Sequence, residues 1–217
     1  GTFGDLFHEL FTQAGKPIPL APEPVIERLL RTAIDEMLEA GQLLHYARIA
    51  HTPGFLTSVR DRIAELKRTL ILPESYLAIV AAREPGLMEL GVLYQAYQNK
   101  LTQLDWADPD GLNWMATAAL GADPLLAAGW GAVIVDGFDS FYPSQLATLR
   151  LLGERLPELL ITLPGDPGRE RPAHRRFQRT LAALRTALPD AVVESIPEPV
   201  HIQGSLGHLA RSLFEVD

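Results

Sequence analysis

The 217-residue chain is 47% apolar with a mean hydropathy of +0.06. That composition excludes a disordered coil and fits one domain, or one domain with an insertion. A formal charge of −8 excludes a generic nucleic-acid-coating surface and leaves room only for a local basic patch.

Cysteine is absent, so disulfides, thiolate zinc sites and iron–sulfur clusters are excluded within these residues, and a reducing cytoplasm is compatible. No apolar run approaches the roughly 18 residues that a membrane-spanning helix needs, so no membrane partner is expected. Asp5, His8 and Glu9 interrupt the first apolar residues, unlike a signal peptide.

In chain order, Thr2 caps a predicted helix with Leu6, Phe7, Leu10 and Phe11 on one stripe. Gly15-Lys16-Pro17 fails as a phosphate loop, because Leu10 and Pro17 stand where glycine and a hydroxyl residue are required. Pro17, Pro19, Pro22 and Pro24 make a stiff connector. After it Val25, Ile26, Leu29, Leu30, Ala33, Ile34, Met37 and Leu38 repeat at helical spacing up to Gly41. Thr52-Pro53-Gly54 is a turn, followed by a helix carrying Phe55, Val59, Ile63, Leu66 and Leu70. Pro73 opens another helix through Tyr76, Leu77, Ile79 and Val80. The next carries Leu87, Leu90, Leu93, Tyr94, Tyr97, Leu101 and Leu104. Asp108-Pro109-Asp110 starts one more, with Leu112, Met115, Ala116 and Ala119 inward.

From Trp130 the pattern changes. Residues 131–136 read as a buried strand, a helix with Leu146, Leu149, Leu152 and Leu156 follows, and 158–163 form a second strand ending at Pro164-Gly165-Asp166-Pro167. A helix with Phe177, Leu181, Leu184 and Leu188 precedes a third expected strand at 191–196, and 205–214 read as a last helix. Alternating strand and helix imply parallel pairing. The expected class is therefore α/β, with 20–126 as a helical subdomain.

Asp136 is the leading candidate for chemistry. An aspartate ending a Val-Ile-Val strand sits where parallel sheets hold ligands and where magnesium bridges nucleotide phosphates. The other reading is an acid capping a turn. Asp166 ends the second strand and would emerge at the same sheet edge.

The words around these acids resemble superfamily 1 DNA helicases of the UvrD/Rep type. Val133 to Leu146 (Val-Ile-Val-Asp-Gly-Phe-Asp-Ser-Phe-Tyr-Pro-Ser-Gln-Leu) is similar to motif II, and Leu-Leu-Ile-Thr-Leu-Pro-Gly-Asp-Pro to the motif III strand. Gly1-Thr2-Phe3-Gly4-Asp5-Leu6 looks like the Thr-Phe motif preceding the helical insertion, so Thr2 and Phe3 would contact nucleic acid. Asp-Gly-Phe in place of Asp-Glu, Gly54-Phe55 with Glu65-Leu66-Lys67, and Leu93-Tyr94-Gln95-Ala96-Tyr97 before a later aspartate resemble the AddB-type member of AddAB helicase–nucleases.

The resemblance implies a P-loop NTPase-like, RecA-like core from 1–19 and 127–217, with 20–126 inserted. It also implies DNA and an AddA-type partner subunit, end resection and recombinational repair in the cytoplasm, and ATP and magnesium for the parent enzyme. Departures from the pattern bear on mechanism. Gly137 stands where the water-polarising glutamate belongs, Arg169 falls near the γ-phosphate-sensing glutamine, and the phosphate loop is expected upstream of Gly1. The chain is thus expected to hold no cofactor and to be catalytically inert, with Asp136 and Asp166 as a remnant of the nucleotide and magnesium site. A piece of an active UvrD/Rep-type helicase is the alternative.

Arg169, Arg171, His174, Arg175, Arg176, Arg179 and Arg185 form a basic run. Helical spacing places Arg171, Arg175 and Arg179 on one face, away from Phe177, Leu181 and Leu184. With Arg176 they would contact DNA phosphates or an acidic partner; a solvated face is the other reading. His45, His51, His201 and His208 lack metal-ligand spacing, and Gly204-Ser205-Leu206-Gly207 lacks the glycine of a nucleophile elbow. Trp106, Trp114 and Trp130 read as core or junction residues.

Overall fold

A computed structural model describes residues 1–81, 83–165 and 175–196. The chain is mostly helical with a small parallel sheet: α1 (Phe3–Gln13), α2 (Glu23–Glu39), α3 (Pro53–Arg68), α4 (Pro73–Val80), α5 (Pro85–Gln103), α6 (Pro109–Ala122), β1 (Ala132–Val135), α7 (Pro143–Gly153), β2 (Glu158–Ile161) and α8 (Arg175–Ala187). It divides into two compact units. The first is Gly1–Gly129 with Tyr142–Thr148, and the second is Trp130–Phe141 with Leu149–Asp217.

Proline punctuates the first unit. Helices α2 to α6 each carry proline in the first two positions, where a missing N–H costs nothing and the fixed φ suits the helix. Thr2, Thr52 and Asp108 add side-chain caps, accepting from the amides of Asp5, Phe55 and Gly111. Helix ends share one device, a left-handed residue just past the last turn: Gly15, Gly41, Leu70 and Asp105, with φ of 68°, 65°, 59° and 53°. The following amide closes back five residues in each case, as in Ile71 to Leu66 (2.9 Å) and Trp106 to Leu101 (3.0 Å).

The apolar stripes of α2, α3 and α5 meet in one core containing Ile26, Leu30, Ile34, Val59, Ile63, Leu93, Tyr94, Tyr97 and Leu101. Leu30, Leu93 and Leu101 are completely buried, each worth roughly 1.5–3 kcal/mol of transfer free energy. Glu89 on α5 fixes the connection after α2, accepting from the successive amides of Leu44, His45 and Tyr46 at 2.8, 2.6 and 3.2 Å. The first residues of α7 join α6 through a polar ladder. Asn113 Nδ2 donates to Ser144 Oγ (2.8 Å), and the hydroxyls of Thr117 and Thr148 share a bond of 2.9 Å.

In the second unit β1 and β2 pair in parallel, with Ala132 opposite Glu158 and Val135 opposite Ile161. Leu149, Leu152, Leu156, Leu181 and Leu184 are buried there, whereas Ile134 and Leu160, directly paired across the strands, stay exposed. Among the described residues the sheet has two strands. Residues 191–196, expected as a third, form none, and Val192 and Ile196 are 83% and 87% exposed. Valine-rich composition suits a strand, but a strand exists only where a neighbouring edge takes its amides and carbonyls. The expected helix at 205–214 lies outside the described residues.

Candidate functional site

The four residues of β1 are too short and too β-branched for a helix, and their last member, Val135, is buried. The parallel register continues past the strands: the Thr162 amide donates to the Val135 carbonyl at 2.9 Å. This brings Thr162 beside Asp136, and its hydroxyl donates to the Asp136 carboxylate. The carboxylate is exposed but already engaged by its own sheet.

Gly137 follows with φ +80°, and a side chain there would meet open space. The turn uses the left-handed conformation that glycine adopts without a steric penalty, and no carboxylate stands at this position.

The loop then turns toward α8. Asp139 makes two contacts with that helix: its carbonyl accepts from Thr180 Oγ1 at 2.7 Å, and its carboxylate pairs with Arg176 at 2.7 Å. Thr180 is buried, while the Arg176 and Asp139 side chains are 70% and 55% exposed. Phe138 and Phe141 stack within the loop, centroids 5.7 Å apart.

Helix α8 has four arginines, Arg175, Arg176, Arg179 and Arg185, and no acid. Thr180, Leu181 and Leu184 face inward, which leaves Arg175 and Arg179, one turn apart, exposed on the opposite side. Neither pairs with an acid among the described residues.

The other expected contacts have separate places. Thr2 and Asp5 form a capping box at the start of α1. Phe3 is buried, its ring 5.8 Å from Phe7. Asp166 and Arg171 lie outside the described residues. Among the described residues no three His, Cys, Asp or Glu side chains converge as a metal site.

A second constellation, in the first unit, goes beyond what the motifs point to. Lys67 has no exposed side-chain surface, and its Nζ meets Asp108 Oδ2 at 2.7 Å. The same oxygen accepts from Tyr97 Oη at 2.8 Å, and Oδ1 accepts from the Gly111 amide at 2.6 Å. Lys67 Nζ also lies 5.1 Å from the Tyr97 ring centroid, within cation–π range. Burial pushes the Lys67 pKa down against the pull of Asp108. Burial and the nearby Asp108 charge push the phenols of Tyr94 and Tyr97 well above their ordinary value.

Beside it Arg68 pairs with Asp110 at 2.8 Å and lies 4.9 Å from the Tyr142 ring centroid. The sequence did carry a signal for the buried pair. Lys67 falls four residues after Ile63 on the inward stripe of α3, a place where an unpaired lysine is not tolerated.

The profile of the family described as "ADDB, N-terminal" matches residues 24–197. The chain belongs to the AddB N-terminal family. Similar proteins include the AddB-type component of the ATP-dependent helicase/deoxyribonuclease of Desulforudis audaxviator, 27% identical over 80% of this chain and 16% of that protein. The protein of the same description from Exiguobacterium sibiricum is 27% identical over 67% of this chain and 13% of its own length. That of Moorella thermoacetica is 32% identical over 62% and 12%. The chain therefore spans about a sixth or less of the relatives it matches.

Within the AddB family frame, the words that carried the resemblance have a physical meaning. Lys67 of Glu65-Leu66-Lys67 and Tyr97 of Leu93-Tyr94-Gln95-Ala96-Tyr97 come together on Asp108. They build the interior of the helical unit. No helix among the described residues is long and apolar enough to cross a membrane.

Proposed function

We propose that this chain is the non-catalytic, helicase-like part of an AddB-type subunit. The parent complex, with an AddA-type partner, resects double-strand breaks for recombinational repair in the cytoplasm. In this reading 1–19 and 127–217 belong to a RecA-like core of P-loop NTPase type, and 20–126 are its helical insertion. Asp136 and Asp166 are remnants of a nucleotide and magnesium site, and Arg171, Arg175, Arg176 and Arg179 contact DNA phosphates. Thr2 and Phe3 belong to the same DNA-contacting set through their motif, and act by shaping the start of α1.

The end of β1 carries this reading. Asp136 accepts from Thr162, and the next residue is Gly137 in a left-handed turn. Hydrolysis of a nucleoside triphosphate needs a group that orients the attacking water, and a glycine supplies none. The chain's chemistry at this edge is to hold a turn, and its expected role is to carry a DNA strand past the motor of its partner.

The test is an Asp136→Ala substitution in the full-length AddB-type protein, assayed with its partner. ATP hydrolysis per complex should stay at the unsubstituted rate. A loss of tenfold or more, in a complex that assembles normally, would mean that Asp136 still serves a working ATP site.

A further inference from the structure

We propose that Asp139 is a built-in competitor for the phosphates that α8 would bind, so that the loop after β1 gates this basic face. The inference deepens the reading of α8 as a nucleic-acid contact and rests on it. The occupant is the phosphodiester backbone of a single strand, and the argument is charge complementarity. The chain carries −8 overall, yet α8 has four arginines and no acid. The acid paired with one of them, Asp139, comes from another element.

The two contacts of Asp139 differ in kind. Its carbonyl is held by Thr180, whose side chain is buried, so the loop backbone stays docked. Its carboxylate meets Arg176 where both side chains are largely exposed, at 70% and 55%. Such pairs are weak and screened by salt. A phosphate approaching Arg175 and Arg179 can take Arg176 from Asp139 without undocking the loop. The carboxylate therefore lowers affinity for any polyanion on this face, and it sets a threshold that a single weak phosphate contact does not pass.

The experiment is fluorescence-anisotropy binding of a labelled oligothymidylate, about 20 nucleotides long, to the 217-residue chain across about 50–200 mM salt. Asp139→Asn should bind up to about fivefold tighter than the unsubstituted chain at low salt, the ratio expected on freeing an arginine from an exposed pair. The slope of log K against log salt should steepen by about 0.7, one added phosphate contact. In an Arg176→Ala background, Asp139→Asn should change nothing.

Glu39→Gln, on the exposed end of α2, removes the same charge elsewhere. If it tightens binding as much as Asp139→Asn, the gate is wrong and only net charge acts. If the unsubstituted chain binds and Asp139→Asn matches it, the gate is wrong while the basic face stands. If neither binds at low salt, the basic-face reading fails and the gate with it.

Discussion

Lys67 and Asp108, forty-one positions apart, meet at 2.7 Å in the interior of the helical unit. The pair ties α3 to the start of α6, and Asp108 at once caps α6 and accepts from Tyr97 on α5. One carboxylate thus satisfies three donors from three helices. Removing its cationic partner leaves a buried charge without compensation.

Lys67→Met should destabilise the chain by about 3–5 kcal/mol, because Asp108 stays buried and loses its counter-charge. Lys67→Met with Asp108→Asn should recover part of that loss, since asparagine is neutral and can still accept from Gly111. Urea unfolding of both variants measures this. Additive losses would show that the two residues are not coupled.

Tyr97 makes the stability of this unit alkaline-sensitive. Its folded pKa lies above the ordinary value of 10.0 because of burial and Asp108. Below pH 10 both states keep the proton and the stabilisation is fully present; as pH rises above 10 the unfolded tyrosine ionises first and stability falls. Tyr97→Phe should cost about 1–3 kcal/mol at pH 7, by losing one donor to a buried carboxylate. The gap between the two proteins should narrow in urea melts above pH 10.

Asp105 ends α5 with φ 53° on an exposed residue. The left-handed conformation is unfavourable for a residue with a Cβ and free for glycine. Asp105→Gly should therefore stabilise the chain by about 0.5–1 kcal/mol, read as a higher urea midpoint at unchanged slope. An unchanged or lower midpoint would mean that the aspartate side chain contributes a stabilising interaction of its own.

The helices were legible because their signals are local. Proline and capping residues mark the starts, apolar residues repeat at helical spacing, and Gly15 and Gly41 mark two of the ends. The equivalent ends at Leu70 and Asp105 carry no glycine, so their left-handed geometry could not be read from residue type. The run at 191–196 shows the opposite failure. It has strand composition, but pairing depends on a neighbour that composition does not specify.

At the candidate site, the order Val135-Asp136-Gly137 already gave an acid at a strand end with no second carboxylate behind it. Sequence alone also placed Arg175 and Arg179 on one face of α8, because helical spacing is a property of the backbone. What only the tertiary structure decided is which partners these charges have. Asp136 is engaged by Thr162, Arg176 by Asp139, and Lys67 by Asp108. Each pair joins residues 26 to 41 positions apart. Spacing within one element fixes a direction, but an ion pair or hydrogen bond needs two elements packed to within about 3 Å, and that distance is set by the fold.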